Sequence, residues 1–282
     1  MKKFSKLTKK LLLSAIALGL TVVTLTTTTF AWYTSSNKVN VLGGSGTASS
    51  TTSDSTLLIA KGDSTTFGKQ VQLDAATDLV PVEYNSVSGK FEELGSDSAS
   101  TGYYQFVLKF RTTKTWDAVA QEDVKVYLSA LTLVNAGTAV GETNILGAGN
   151  GKDGCPTGAT YAVDIVRSLD MLIENGAAKS FYHLDNLATI GGESPYLESA
   201  DVADYDALAY YKEVMGQELE APETPSFTNL ALGQEICSLK GDGAYVDVSI
   251  TFTVFINGWD KYCFDALRGQ AFTLTMDFST EQ

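Results

Sequence analysis

Across residues 244–257 the chain keeps a two-residue rhythm. Val246, Val248, Ile250, Phe252, Val254 and Ile256 share one parity, while Asp247, Ser249, Thr251 and Thr253 share the other. A helix would spread those apolar side chains around its circumference, whereas an extended strand puts them all on one face, so the stretch reads as a β-strand with a single buried side. The pattern returns in Phe272, Leu274, Met276 and Phe278, which alternate with Ala271, Thr273, Thr275 and Asp277. The connector, 258–269, has room for a helical turn near 260–267, with Asp260 placed to cap it and Gly269 to end it. Two such strands are marginal as an isolated hairpin, and their apolar face needs a second layer.

The rest of the chain supplies candidates for that layer. Residues 57–60, 70–74 and 90–94 read as short strands, and 79–82 as an edge or broken strand because Pro81 lacks a ladder donor. Residues 103–111 alternate through Tyr104, Phe106, Leu108 and Phe110, and 124–134 through Val124, Val126, Leu128 and Ala130. Asn175-Gly176 between two β-compatible runs is a strong hairpin signal, joining 169–174 to 177–183. Residues 229–239 follow an irregular connector marked by Pro222 and Pro225. One convincing helix remains, at 202–215, with Tyr205, Leu208, Tyr211 and Met215 on one side and Gly216 placed to stop it. Many short strands, loop-rich connections and one helix give an all-β chain: a two-sheet β-sandwich of jelly-roll type.

The leading residues differ in kind. Lys2, Lys3, Lys6, Lys9 and Lys10 form a basic region, residues 11–23 are apolar, and Thr29-Phe30-Ala31 offers small residues before a cut. This reads as a secretory signal peptide, 1–31, cleaved between Ala31 and Trp32. Residues 11–33 are also long enough to span a bilayer, so an uncleaved anchor is the competing reading, weakened by the threonine run 26–29. Next comes a short β-prone segment, 32–42, with Trp32, Tyr33, Val39, Val41 and Leu42 as its strand-forming residues. Residues 43–55 are almost wholly Gly, Ser, Thr and Ala, a composition with nothing to bury, and read as a flexible tether. The division is therefore a signal peptide (1–31), an N-terminal strand with its linker (32–56) and a sandwich domain (57–282).

The 44% hydrophobic content is ample for a core. Loss of 1–31 removes five lysines and no acid, leaving 15 basic residues against 33 acidic ones, a net charge of −18. Nucleic acid and anionic lipid need a positive stripe that such a chain lacks, so neither is an expected partner, and the membrane is met only through the signal segment. The three cysteines, Cys155, Cys237 and Cys263, fit no metal or redox spacing and read as buried, unpaired thiols.

Chemistry finds little support. Ser64, in Ile59-Ala60-Lys61-Gly62-Asp63-Ser64, has the look of a nucleophile after a strand, but His183 is the one histidine and does not sit in the setting that such hydrolases use. A single histidine also rules out an HExxH zinc pair. The glycines of 147–151 match neither a Walker loop nor a dinucleotide fingerprint, and Gly62 to Lys69 misses the Walker spacing by one residue. Asp201, Asp204 and Asp206 fail the EF-hand pattern and suit a helix N-terminus. No enzyme activity, metal or cofactor is expected. Trp259 and Tyr262 are possible ligand contacts that would make the protein an adhesin or carbohydrate-binding module, with packing at a sandwich corner as the plainer use of both.

Residues 28–39, Thr28-Thr29-Phe30-Ala31-Trp32-Tyr33-Thr34-Ser35-Ser36-Asn37-Lys38-Val39, resemble the exported proteins of Gram-positive bacteria that carry a SipW-dependent type of signal peptide, above all the TasA and camelysin family of biofilm-matrix proteins. Leu79-Val80-Pro81-Val82, Gly258-Trp259-Asp260 with Cys263, and residues 272–278 are similar to the body of such proteins. The resemblance implies a secreted, non-enzymatic jelly-roll subunit of the cell surface or biofilm matrix, a signal peptidase of SipW type as processing partner, and self-association into fibres by passing the N-terminal strand to a neighbour. The protease activity ascribed to camelysins lacks metal ligands in this sequence. If the leader is cut after Ala31, mass spectrometry of the exported protein returns the mass of residues 32–282; the intact mass would identify an anchor.

Overall fold

A computed structural model of the chain describes residues 45–50, 56–74, 79–93, 98–135, 165–184, 225–258, 260 and 271–280. They form strands β1 (Ser45–Ser50), β2 (Leu57–Lys61), β3 (Gln70–Leu73), β4 (Pro81–Asn85), β5 (Lys90–Glu93), β6 (Tyr104–Thr112), β7 (Val124–Asn135), β8 (Leu169–Asn175), β9 (Ala178–His183), β10 (Phe227–Asn229), β11 (Gln234–Leu239), β12 (Val248–Asn257) and β13 (Phe272–Ser279), with a 3-10 turn at Ile165–Ser168. The smaller sheet runs β11-β7-β13-β1-β3. The larger runs β10-β9-β8-β12, and the far edge of β12 is shared between β6, which carries β2, and the β4–β5 hairpin further along. Among the described residues no helix is long and apolar enough to cross a membrane. The expected helix at 202–215 lies outside the described residues, as does all of the expected turn at 260–267 except Asp260, whose amide donates to Asn257 O at 3.0 Å.

The inner faces meet as the alternation requires. Phe106, Leu108, Phe110, Ile250, Phe252, Val254 and Ile256 of the larger sheet pack with Leu131, Leu133, Phe272, Leu274, Met276 and Phe278 of the smaller one. Phe278 bridges the sheets, 4.9 Å edge-on from Phe110 and 6.1 Å from Phe252, and Phe252 stacks on Phe106 at 5.4 Å. Burying one such ring is worth about 1.5–3 kcal/mol, so this aromatic row ties the layers together. Asn175-Gly176 makes the tight turn between β8 and β9, with Asn175 opposite Ala178 and Gly176 at φ +61°, a conformation open to glycine. Pro81 opens β4, where a missing donor costs least.

Three expectations are corrected. Strands β12 and β13 are not a hairpin: they lie in different sheets, because both edges of β12 are already filled by β8 on one side and by β6 and β4 on the other. Nor does β12 have a single buried side. Val246 precedes the strand and is 62% exposed, whereas Phe255, of opposite parity, is buried. The β4–β5 hairpin causes this by covering the outer face of the larger sheet, where Val82, Tyr84 and Phe91 pack on Leu172, Phe181 and Phe255. The tether read at 43–55 contains β1, so the sandwich does not begin at residue 57; backbone bonding on both edges holds a strand that composition alone leaves in solvent. Three ladders, β1–β13, β9–β10 and β4–β12, run parallel, and the others are antiparallel.

Phe252→Ala should lower unfolding stability by about 3–5 kcal/mol, while Val246→Ala should stay within about 0.5 kcal/mol of the parent. Urea unfolding of the two variants checks this, and equal losses would contradict the assignment of Val246 to the surface.

Candidate functional site

Strand β1 has an unusual place for its composition. Its residues, Ser-Gly-Thr-Ala-Ser-Ser, lie inside the smaller sheet between β13, to which β1 runs parallel from Ser45↔Thr273 to Ser50↔Phe278, and β3, to which it runs antiparallel from Gly46↔Leu73 to Ser49↔Gln70. Positions Gly46, Ala48 and Ser50 share the core-side register with Leu274, Met276 and Phe278. Of these, Ala48 brings a single methyl into the core at 0% exposure, and Ser50 is buried with its amide donating to Lys69 O at 2.8 Å. On the outer side Ser49 Oγ donates to the Asp277 carboxylate. One buried methyl is worth roughly 1 kcal/mol, so ladder hydrogen bonds hold β1 in place with little help from side-chain burial. The slot between β13 and β3 is thus specific for an extended backbone with small inward residues and undemanding about the outward ones.

Ala31, Trp32, Tyr33, Val39, Val41 and Leu42, and the possible ligand contacts Trp259 and Tyr262, lie outside the described residues, as do Cys155 and Cys263. The sequence reading missed β1. Its one signal is a weak alternation, in which small residues at 46, 48 and 50 flank Thr47 and Ser49.

The other candidates occupy ordinary structural positions. Ser64 sits in the turn after β2, where its Oγ accepts from Thr66 N at 3.1 Å. His183 is on β9, and β6, β12 and β8 lie between β9 and β2. Four strand spacings amount to roughly 19 Å, far beyond the contact a nucleophile and its base need. Instead, His183 Nδ1 lies 2.9 Å from Asp170 Oδ1 on the paired position of β8. Asp170, 2% exposed, also accepts from Asn257 Nδ2 at 2.9 Å, and the imidazole stacks on Phe227 at 4.9 Å. This buried carboxylate ties together β8, β9 and the end of β12, and its histidine supports β10. Among the described residues, no group of three or more His, Cys, Asp and Glu side chains is placed to hold a metal. Cys237 is buried on β11, and that burial, with Glu235 nearby, pushes its thiol up to about 12. Burial, with Asp74 adding to it, likewise pushes the Tyr104 hydroxyl up to about 12, and that hydroxyl donates to Asp74 O at 2.5 Å.

No family model matches this chain, and no curated protein does. What the geometry defines is a class: an all-β, two-sheet sandwich with a backbone-specific slot in its smaller sheet.

Two outcomes follow from the buried acids. The thiol and phenol stay protonated in the folded chain to about 12, whereas unfolded they ionise from 9.0 and 10.0, so their stabilisation is complete below pH 9.0 and is lost as pH rises toward 12. Urea midpoints should therefore fall between about pH 8 and about pH 10.5, and a rising midpoint would contradict the burial of both groups. Asp170→Ala removes the carboxylate that Asn257 Nδ2 donates to and that His183 Nδ1 contacts, and should cost about 1–3 kcal/mol; an unchanged midpoint would remove the clamp.

Proposed function

We propose that this is a secreted, non-enzymatic structural protein of the cell surface or extracellular matrix whose copies join by exchanging the leading segment. The observation that carries the reading is the slot between β13 and β3, filled in one chain by Ser45–Ser50, a strand whose core-side positions are Gly46, Ala48 and Ser50. Such a strand contributes mainly its backbone, and the backbone of a neighbour serves equally well. The leading segment of a second copy, with the β-prone residues 32–42 ahead of it, then completes the sheet by strand addition. Because giver and receiver are different surfaces, the contact runs head to tail and grows without closing, which makes a filament.

Charge supports the mode of joining. A chain at −13 with its leader, or −18 without it, repels its own copies at long range, so attraction must come from short-range hydrogen bonds. Salt screens that repulsion and should promote assembly. The basic and apolar run before Ala31 and the resemblance to exported matrix proteins support secretion through a signal peptidase. A jelly-roll arrangement of the two sheets is the finer form of the same proposal.

Deleting residues 32–42, the segment ahead of β1, should diminish filaments in negative-stain images while leaving the circular dichroism of the sandwich intact. Undiminished filaments would reject the donor role of that segment.

A further inference from the structure

A cleft of about 270 Å³ opens on the outer face of the larger sheet, between the β4–β5 hairpin, residues 99–103 and the adjoining ends of β8 and β9. Its lining mixes aromatic rings with polar groups. Phe91 is buried and packs at 4.6 Å against Tyr103, which is half-buried and keeps ring surface to offer. Tyr84 closes the back, its hydroxyl accepting from Lys179 Nζ at 2.9 Å, and the same ammonium pairs with Glu174 at 3.1 Å. Gln105 donates to Thr253 Oγ1 at 3.0 Å, so its amide is fixed in place with the oxygen still an acceptor. Lys90 is exposed, and its ammonium makes no ion pair among the described residues. The nearby buried carboxylate of Glu92 is held by Asn85 at 2.9 Å and Ser88 at 2.7 Å and does not line the cleft.

The charge of the lining narrows the ligand. Lys90 and Lys179 against Glu174 leave one net positive charge, on a protein whose total is −13. A doubly charged phosphate would meet the Glu174 carboxylate and only one uncommitted ammonium. A purely apolar ligand would cover the Gln105 oxygen without giving it a donor and would make no use of Lys90. A single carboxylate matches Lys90, a flat C–H face matches Tyr103, and hydroxyls match Gln105 and the Lys179–Glu174 pair, whose charged groups make the stronger hydrogen bonds. Drug-sized ligands occupy about 300–1,000 Å³, so this cleft holds one ring.

We propose that the cleft binds a carboxylated pyranose, a uronic acid unit, either as the free sugar or within an acidic polysaccharide. Lys90 takes the carboxylate, Tyr103 the ring face, and Glu174 and Gln105 the hydroxyls. The site lies on the sheet opposite the β1 slot and does not depend on strand exchange.

Calorimetric titration of the full chain at low salt, with glucuronate, glucose, acetate and polygalacturonate, tests this. Glucuronate should bind more tightly than glucose or acetate, and Lys90→Gln, a change at an exposed side chain, should weaken it by about tenfold. Tyr103→Ala should remove binding of both sugars, and should Tyr103→Ala fail to fold, Lys90→Gln alone carries the test. Binding of polygalacturonate alone, lost in Lys90→Gln, supports the polymer as the source. Equal binding of glucose and glucuronate, binding unmoved by Lys90→Gln, or no binding to any of the four overturns the proposal.

Discussion

Strand β13 cannot keep its inner face dry unless both of its backbone edges are filled. Phe272, Leu274, Met276 and Phe278 are fully buried, and Phe278 carries the aromatic contact to the larger sheet. One edge is taken by β7 along eight paired residues, from Phe272↔Asn135 to Ser279↔Tyr127. The other needs a partner that is thin enough to sit among Leu274, Met276 and Phe278 without overpacking the core. Gly46, Ala48 and Ser50 meet that need. A strand of larger inward residues would crowd the layer, and no strand at all would leave an open edge beside apolar surface. The poverty of β1 is therefore a fit to its slot.

The same fit makes β1 replaceable. A strand anchored by side chains is tied to one sequence, whereas one anchored by its ladder is tied to direction, register and small inward residues. Its neighbours differ in this respect: β12 buries residues on both faces and is gripped by three partners, so it cannot leave without dismantling the sheet. The molecule thus combines a body fixed by side-chain burial with one strand held mainly by its ladder.

Much of the body was legible in the sequence because the signal was local. The alternations of β6 and β13 each place bulky residues at every second position, and Asn175-Gly176 encodes its own turn. Strand β7, by contrast, changes buried parity between Leu128 and Leu131 at a bulge, so Ala130 does not face the core as its spacing suggested. What was hidden depends on distant partners. Phe255 looks like an exception among the polar residues of β12 until the β4–β5 hairpin covers it. The separation of β12 and β13 into two sheets follows from who fills their edges, which neighbours in sequence do not reveal. Strand β1 was hidden most deeply, since the ladder that makes Ser45–Ser50 a strand belongs to β13 and β3 and leaves no hydrophobic mark on the segment itself. The cleft gave no motif for a related reason: Lys90, Tyr103, Gln105, Glu174 and Lys179 come from separate strands and loops, and only the fold assembles them.

The register of Thr47 with Thr275 offers the most direct measurement. Adjacent strands lie about 4.8 Å apart, within the Cα range of about 4.4–6.8 Å that a disulfide accepts. Thr47→Cys with Thr275→Cys, in a chain whose Cys155 and Cys263 are replaced by Ser, should on oxidation of assembled protein give a ladder of covalently linked chains on a non-reducing denaturing gel. A lone band at the mass of one chain, from a sample rich in filaments, would show that each copy keeps its own β1 and would contradict exchange.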